Sequence, residues 1–172
     1  MFASVLLASV LAVGAAPDAA QAEAKRFEGV WVCKSARVWG EAIRHDEGMR
    51  WEFRADTRPR PDGSAPPPNT LILRVEVPPR PGEQGPQDLV ERLTIDPSTE
   101  PKGYDVPAFR AEGVYRFTPE GLEMCESPRQ GRPRPRLFSG ETDPGAGTLF
   151  ILVRQGPKAK GGQEKSPATK SR

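Results

Sequence analysis

The sequence predicts an all-β domain, an antiparallel up-and-down barrel of about eight strands, and three observations carry that expectation. Short segments alternate apolar and polar residues with period two, as strands with one buried face do. The 17 glycines and 20 prolines punctuate the 172 residues so densely that elements must be short. No segment offers an amphipathic helix longer than two turns, whereas parallel strands need crossovers of a dozen or more residues. A chain of this length fits one core, and closing its sheet removes the exposed edges that invite aggregation.

Residues 1–16 carry no charge and run Phe2, Val5, Leu6, Leu7, Val10, Leu11 and Val13 among small residues. The run is shorter than the roughly 20 residues of a membrane-spanning helix, and Ala20-Gln21-Ala22 fits the small-residue pattern that signal peptidase cuts. The expectation is a signal peptide over residues 1–22, with Val13-Gly14-Ala15 as a second cut. The missing Lys or Arg at its start leaves an uncleaved anchor as the alternative. No cysteine follows closely enough to carry a lipid. Export places the domain, residues 23–156, outside the cytoplasm, in a periplasm or beyond, without a transmembrane span in the mature chain.

Strands follow in order. Residues 29–38 form the first, and in residues 49–54 Met49, Trp51 and Phe53 oppose Arg50, Glu52 and Arg54. The clearest is residues 70–77, where Leu71, Leu73, Val75 and Val77 oppose Arg74 and Glu76 between two proline clusters. Residues 89–95, 104–106, 113–117, 122–125 and 148–154 complete eight. Thr118-Pro119-Glu120-Gly121 joins Tyr115 and Phe117 to Leu122 and Met124 in a hairpin. Residues 148–153 are apolar on both faces and need cover on both sides. The connectors over residues 55–69 and 78–88, rich in proline and glycine, are expected to be exposed and mobile. Residues 157–172, a basic tail without periodicity, are expected to be disordered.

The net charge of +2 comes from that tail, which holds five cations and one anion and leaves the rest close to −2. The body is therefore not a nucleic-acid surface. Cys33 and Cys125, in an oxidising compartment, leave two readings open: a disulfide, or two small apolar residues packed in strands.

Catalytic machinery is not legible, so the sequence predicts no enzyme, no cofactor and no metal. His45 is the single histidine and no nucleophile motif accompanies it. With Asp46 and Glu47 it falls short of the three or four ligands of a zinc site. Residues 143–148 lack the G-K-[ST] of a phosphate loop and precede a strand. Nothing selects a carboxylate pair, whether Glu41 with Asp46 or Glu47, or Glu112 with Glu123. Arg129, Arg132, Arg134 and Arg136 among prolines form the densest basic stretch, a candidate contact for an anionic envelope component, with a solvated connector as the alternative.

Several segments together resemble a family. Phe27-Glu28-Gly29-Val30-Trp31 opens the body, and Thr94-Ile95-Asp96-Pro97 and Pro101-Lys102 lie midway. Glu112-Gly113-Val114-Tyr115 leads to Gly121-Leu122-Glu123-Met124-Cys125, and Arg132-Pro133, Phe138-Ser139 and Gly145-Ala146-Gly147-Thr148-Leu149 through Arg154 close it. In order and spacing these are similar to the planctomycete paralogous domain, a lipocalin-like family of secreted or modular proteins with no assigned biochemical function. The resemblance covers residues 26–155 and is most specific over 113–154. The chain departs from the family pattern in its proline-rich insert over 55–69, in Cys33 and in the basic tail. The wider lipocalin likeness implies Gly-x-Trp on the first strand and an Arg of the last strand stacked on that Trp. Trp31 and Arg154 occupy those places in a structural role.

Two functions follow from such a barrel. In the first, Trp31, Trp51, Phe53, Leu73 and Val75 with Tyr115, Phe117, Leu122 and Met124 line a cavity for a small apolar ligand. In the second, the same side chains fill the barrel, and its loops or basic segments contact an envelope partner.

Overall fold

A computed structural model describes residues 17–79, 85–127, 133–138 and 147–156. It is mostly strand, with one helix: α1 (Pro17–Phe27), β1 (Gly29–Val38), β2 (Glu41–Ala42), β3 (Arg50–Ala55), β4 (Thr70–Val77), β5 (Gln87–Asp96), β6 (Gly103–Val106), β7 (Ala111–Thr118), β8 (Gly121–Glu126) and β9 (Thr148–Arg154). Each long strand pairs antiparallel with the next in sequence, and β9 returns to pair with β1, from Trp31 against Arg154 to Val38 against Thr148. The result is a closed eight-stranded, up-and-down, lipocalin-like barrel. The two-residue β2 folds back on β1 through the Trp39-Gly40 turn and stays outside the closure.

Alternation sorts the side chains into two layers. Trp31, Trp51, Phe53, Leu73, Val75, Tyr115, Leu122 and Met124 are all buried in the interior cluster, and Phe117 packs half-buried against it. The expected hairpin forms with Tyr115 opposite Met124 and Phe117 opposite Leu122. A bulge between Cys33 and Ser35 shifts the phase of β1, so that Ala36 rejoins the interior cluster.

The helix is the main addition to the sequence pattern. Pro17–Phe27 form three turns of α-helix that span the expected cut after Ala22, with Asp18 in the first turn and Lys25 and Arg26 in the last. Ala24 and Phe27, three residues apart, share one face and enter the interior cluster. Pro17 sits at the helix start, where its missing N–H costs nothing. Glu23 is buried beside them and joins Lys102 at 2.6 Å and Arg26 at 3.0 Å, tying the helix to the turn before β6. Burial pushes the Glu23 carboxyl up, but the two cations outweigh it and hold it below its ordinary range. The helix closes one end of the barrel, called the lower end here.

The connector after β3 is pinned rather than loose at its start. Asp56, its side chain fully buried, receives Arg58 at 3.0 Å and Arg92 of β5 at 2.7 Å. Burial raises its pKa, yet the hydrogen bonds and charge of its arginine partners bring it below the usual value. Further along, Asp62 accepts from the Ser64 amide and hydroxyl, and Gly63 donates to the Arg60 carbonyl. Asn69 donates to the Ile95 carbonyl at 2.7 Å.

A smaller cluster lies on the outer face, where Val114 and Cys125 are buried and Phe138 and Leu149 pack against them. Residues 133–138 thus supply part of the cover that the doubly apolar β9 requires. Arg116 stacks 4.3 Å from the Phe138 ring centroid. Cys33 faces the interior cluster and Cys125 the outer one, on opposite sides of the wall, and no disulfide joins them. Of the two readings open for the cysteines, the structure holds the second, two buried thiols packed in strands.

Candidate functional site

The lower half of the barrel is a packed aromatic cluster. Phe27 of α1 stands edge-on to Phe53 at 5.4 Å, Tyr115 at 4.8 Å and Phe117 at 5.0 Å between ring centroids. Below this plug the Trp31 indole donates to the Phe27 carbonyl at 2.7 Å. The Arg154 guanidinium lies 4.6 Å from the Trp31 ring centroid and donates to the Arg26 carbonyl. Arg154 thereby joins the first strand, the last strand and the end of α1. Its stacking holds the base shut, and a hollow of about 480 Å³ that opens outward lies against it, lined by Arg26, Trp31, Phe117 and Arg154.

The upper end differs. Residual exposure is 0% at Phe27, Phe53, Leu71 and Leu122, but 6–7% at Met49, Trp51, Val75 and Phe150 near the other mouth. Polar groups also enter the interior there. Tyr104, Gly113 and Glu126 are matched in register across β6, β7 and β8, and Glu126 is matched in turn to Thr148 of β9. Gly113 is needed in this row because a Cβ on it would stand 2.3 Å from the Tyr104 ring. With no side chain between them, the Tyr104 ring lies across β7 toward Glu126.

Several polar atoms of this region lack partners. The Tyr104 hydroxyl and the Trp51 indole N–H are buried and make no hydrogen bond among the described residues, which costs about 1–3 kcal/mol per group. Burial, and next the Glu126 charge, push the Tyr104 phenol well up. The Glu126 carboxyl is pushed up to about 7, first by burial and then by Asp46, in a single 3-10 turn over Arg44–Asp46. The Cys33 thiol is raised to about 11 by burial, Asp46 and Glu47, so it stays protonated and inert. Lower in the barrel, burial and then Glu23 raise the Tyr115 phenol, whose hydroxyl also lacks a hydrogen bond among the described residues.

The rim of this mouth carries exposed Trp39, Leu89 and Phe109. Its two non-glycine residues of left-handed backbone, Trp39 at φ 48° and Arg110 at φ 49°, both stand in upper loops. Such conformations cost of order 1–3 kcal/mol and gather where a surface is held for use.

Other candidate residues are placed elsewhere. Arg134 is committed to the outer wall: it donates to Asp105 at 2.6 Å and covers Gly103, where a Cβ would lie 2.1 Å from its guanidinium. Arg136 is also engaged, while Arg129 and Arg132 lie outside the described residues. The tail over 157–172 and residues 1–16 of the expected signal peptide lie outside them too. His45 falls in the 3-10 turn, and among the described residues no group of three His, Cys, Asp or Glu is placed to hold a metal. No helix among them is long and apolar enough to cross a membrane. Glu126 and Tyr104 were not singled out from sequence, although an acidic residue in phase with the inward Leu122 and Met124 marks the position.

Comparison of the chain with family models, with characterised proteins and with solved structures finds no match to any of the three.

Proposed function

We propose that the chain is an exported, non-catalytic binding module that holds a small molecule in the upper part of its barrel. The observation that carries this is the asymmetry of the interior. The lower half is sealed by Phe27 and the Trp31–Arg154 contact around one unpartnered hydroxyl, that of Tyr115, whereas the upper half keeps two buried groups unpartnered among the described residues, the Trp51 indole N–H and the Tyr104 hydroxyl that lies toward Glu126. Native mass spectrometry of protein purified from its own source tests it. A retained small molecule is expected, and a consistently empty barrel contradicts the proposal.

The short apolar run and the small-residue sites that follow it support export, and the family resemblance supports a secreted lipocalin-like role. Under this proposal processing occurs near Val13-Gly14-Ala15, because a cut after Ala22 removes the first half of α1. Amino-terminal sequencing of the exported protein then starts before Pro17; a start at Glu23 refutes that cut.

The alternative is a filled structural module with an envelope partner. It is favoured by the burial of eight of the nine candidate lining residues and by the outward opening of the larger cavities. One of these, about 340 Å³, lies between α1 and Pro66, Pro67 and Pro68. The same mass measurement separates the two.

A further inference from the structure

We infer that two copies of this chain associate edge to edge through the upper half of β5, as an antiparallel pair centred on Val90. The barrel wall has a notch there. β5 runs over Gln87–Asp96, but β6 pairs with it only from Thr94 to Asp96 and ends at Val106, where the chain leaves the sheet in a second 3-10 turn, Pro107–Phe109. Residues 87–93 therefore pair with β4 on one side and, among the described residues, with no strand on the other. A hollow of about 490 Å³, open to the outside, lies along this edge between Val90, Glu91 and Arg92 and the turn residues Pro107 and Ala108. Leu93 and Ile95 of the same strand are fully buried, whereas Leu89 is 43% exposed and Val90 50%.

Backbone alternation tells which groups face the notch. The Ile95 amide donates to the Asn69 carbonyl, just before β4, so the odd-numbered residues of β5 turn their N–H and C=O groups toward β4. The register with β4 is unbroken from Thr94 to Gln87, so the N–H and C=O groups of Asp88, Val90 and Arg92 turn to the free edge. None of these three has a backbone partner on that side among the described residues. Such an edge is a template for another strand.

The order of residues along the edge selects a second copy as that strand. With a two-fold axis at Val90, Val90 faces Val90 of the partner subunit, Asp88 faces Arg92 of the partner subunit, and Arg92 faces the partner's Asp88. Each facing pair exchanges two backbone hydrogen bonds, and opposite charges directly across are favourable. Centring on Asp88, Glu91 or Arg92 sets like charges opposite each other, and centring on Leu89 leaves Asp88 and Arg92 without an opposite charge. Within one copy Arg74 bridges Asp88 at 2.6 Å and Arg92 bridges Asp56 at 2.7 Å. A guanidinium has five donors and a carboxylate two acceptor oxygens, so the pairs across the axis extend these bridges into one row of alternating charge. Charge guards an edge by repelling an incoming strand; Asp88, Val90 and Arg92 in this order attract their own reversed copy.

Sedimentation equilibrium of the full chain tests the dimer. A monomer–dimer equilibrium is expected for the parent. Val90→Lys and Val90→Glu, each alone, set like charges at the axis and should weaken it at least about tenfold. Mixed in equal amounts, the two variants should associate at least as well as the parent, because opposite charges then meet at the axis. The Val90 side chain is half exposed and its backbone groups lie on the free edge, so both variants should keep the parent's circular dichroism. Val90→Cys gives a second readout: facing Cα atoms stand about 5.5 Å apart in such a pair, within the span of a disulfide, and mild oxidation should cross-link two chains. A parent that stays monomeric up to roughly 1 mM, a dimer that Val90→Lys and Val90→Glu leave undiminished, or a mixture no more dimeric than its components overturns the inference.

Discussion

The two ends of this barrel are built from the same alternating strands yet are closed by different means. At the lower end an apolar plug from α1 meets a ring of aromatic side chains, and the polar atoms of Trp31 and Arg154 find backbone carbonyls. At the upper end the Tyr104 phenol and the Trp51 indole are buried without hydrogen-bond partners among the described residues, and so, lower down, is the Tyr115 hydroxyl. Interiors tolerate buried polar groups only at a cost. The comparison therefore teaches that the sealing contacts lie below, while two of the three unpartnered Tyr and Trp groups lie above, where a ligand can offset their cost.

The strongest way to break that contrast is to remove the plug. Phe27→Ala is expected to lower stability by about 3–5 kcal/mol, the range for deleting a buried aromatic ring, measured by urea denaturation. A loss below about 1 kcal/mol shows that the lower end is not closed by α1.

Substitution at the upper end should act with the opposite sign. The folded pKa of Glu126 is raised from 4.5 to about 7. Its contribution to folding is therefore fully present below about pH 4.5 and lost as pH rises through 7. Glu126→Gln should gain up to about 3 kcal/mol over the parent at pH 8, since each tenfold change in proton affinity is worth about 1.4 kcal/mol. The difference should vanish near pH 4.5. A destabilised variant at pH 8 contradicts this.

Gly113→Ala sharpens the same point, since its methyl group meets the Tyr104 ring. A loss of about 1–3 kcal/mol is expected from overpacking, and pairing it with Tyr104→Leu should recover most of that loss. The smallest effect belongs to the base: Arg154→Met should cost about 0.5–2 kcal/mol through the lost stacking on Trp31, read as a shift in thermal midpoint.

Much of this architecture was legible in the sequence, because period two needs only local information. All eight barrel strands were marked by alternation or by turn residues, and Trp31 and Arg154 were singled out as a pair that the register then places opposite one another. Alternation also separates the cysteines: Cys33 is in phase with the inward Trp31, and Cys125 is out of phase with the inward Met124.

Helix α1 was not legible because Ala20-Gln21-Ala22 resembles a processing site, which masked the stripe of Ala20, Ala24 and Phe27. The row of Tyr104, Gly113 and Glu126 was hidden for a different reason. It spans three strands, and only register brings it together. Gly113 inside a strand pattern was the available signal, since such a glycine often marks the close approach of another group. Arg134 misled for a related reason, its partner Asp105 lying 29 positions away.

The most direct measurement is a carbon-13 NMR titration of the Glu126 side-chain carboxyl in the ligand-free protein. A midpoint near pH 7 is the outcome expected of an acid that burial, and next the Asp46 charge, keep protonated well above its ordinary range. A midpoint near 4.5 means that water or a cation already satisfies the group, and it contradicts the division between a sealed lower end and an unsatisfied upper one.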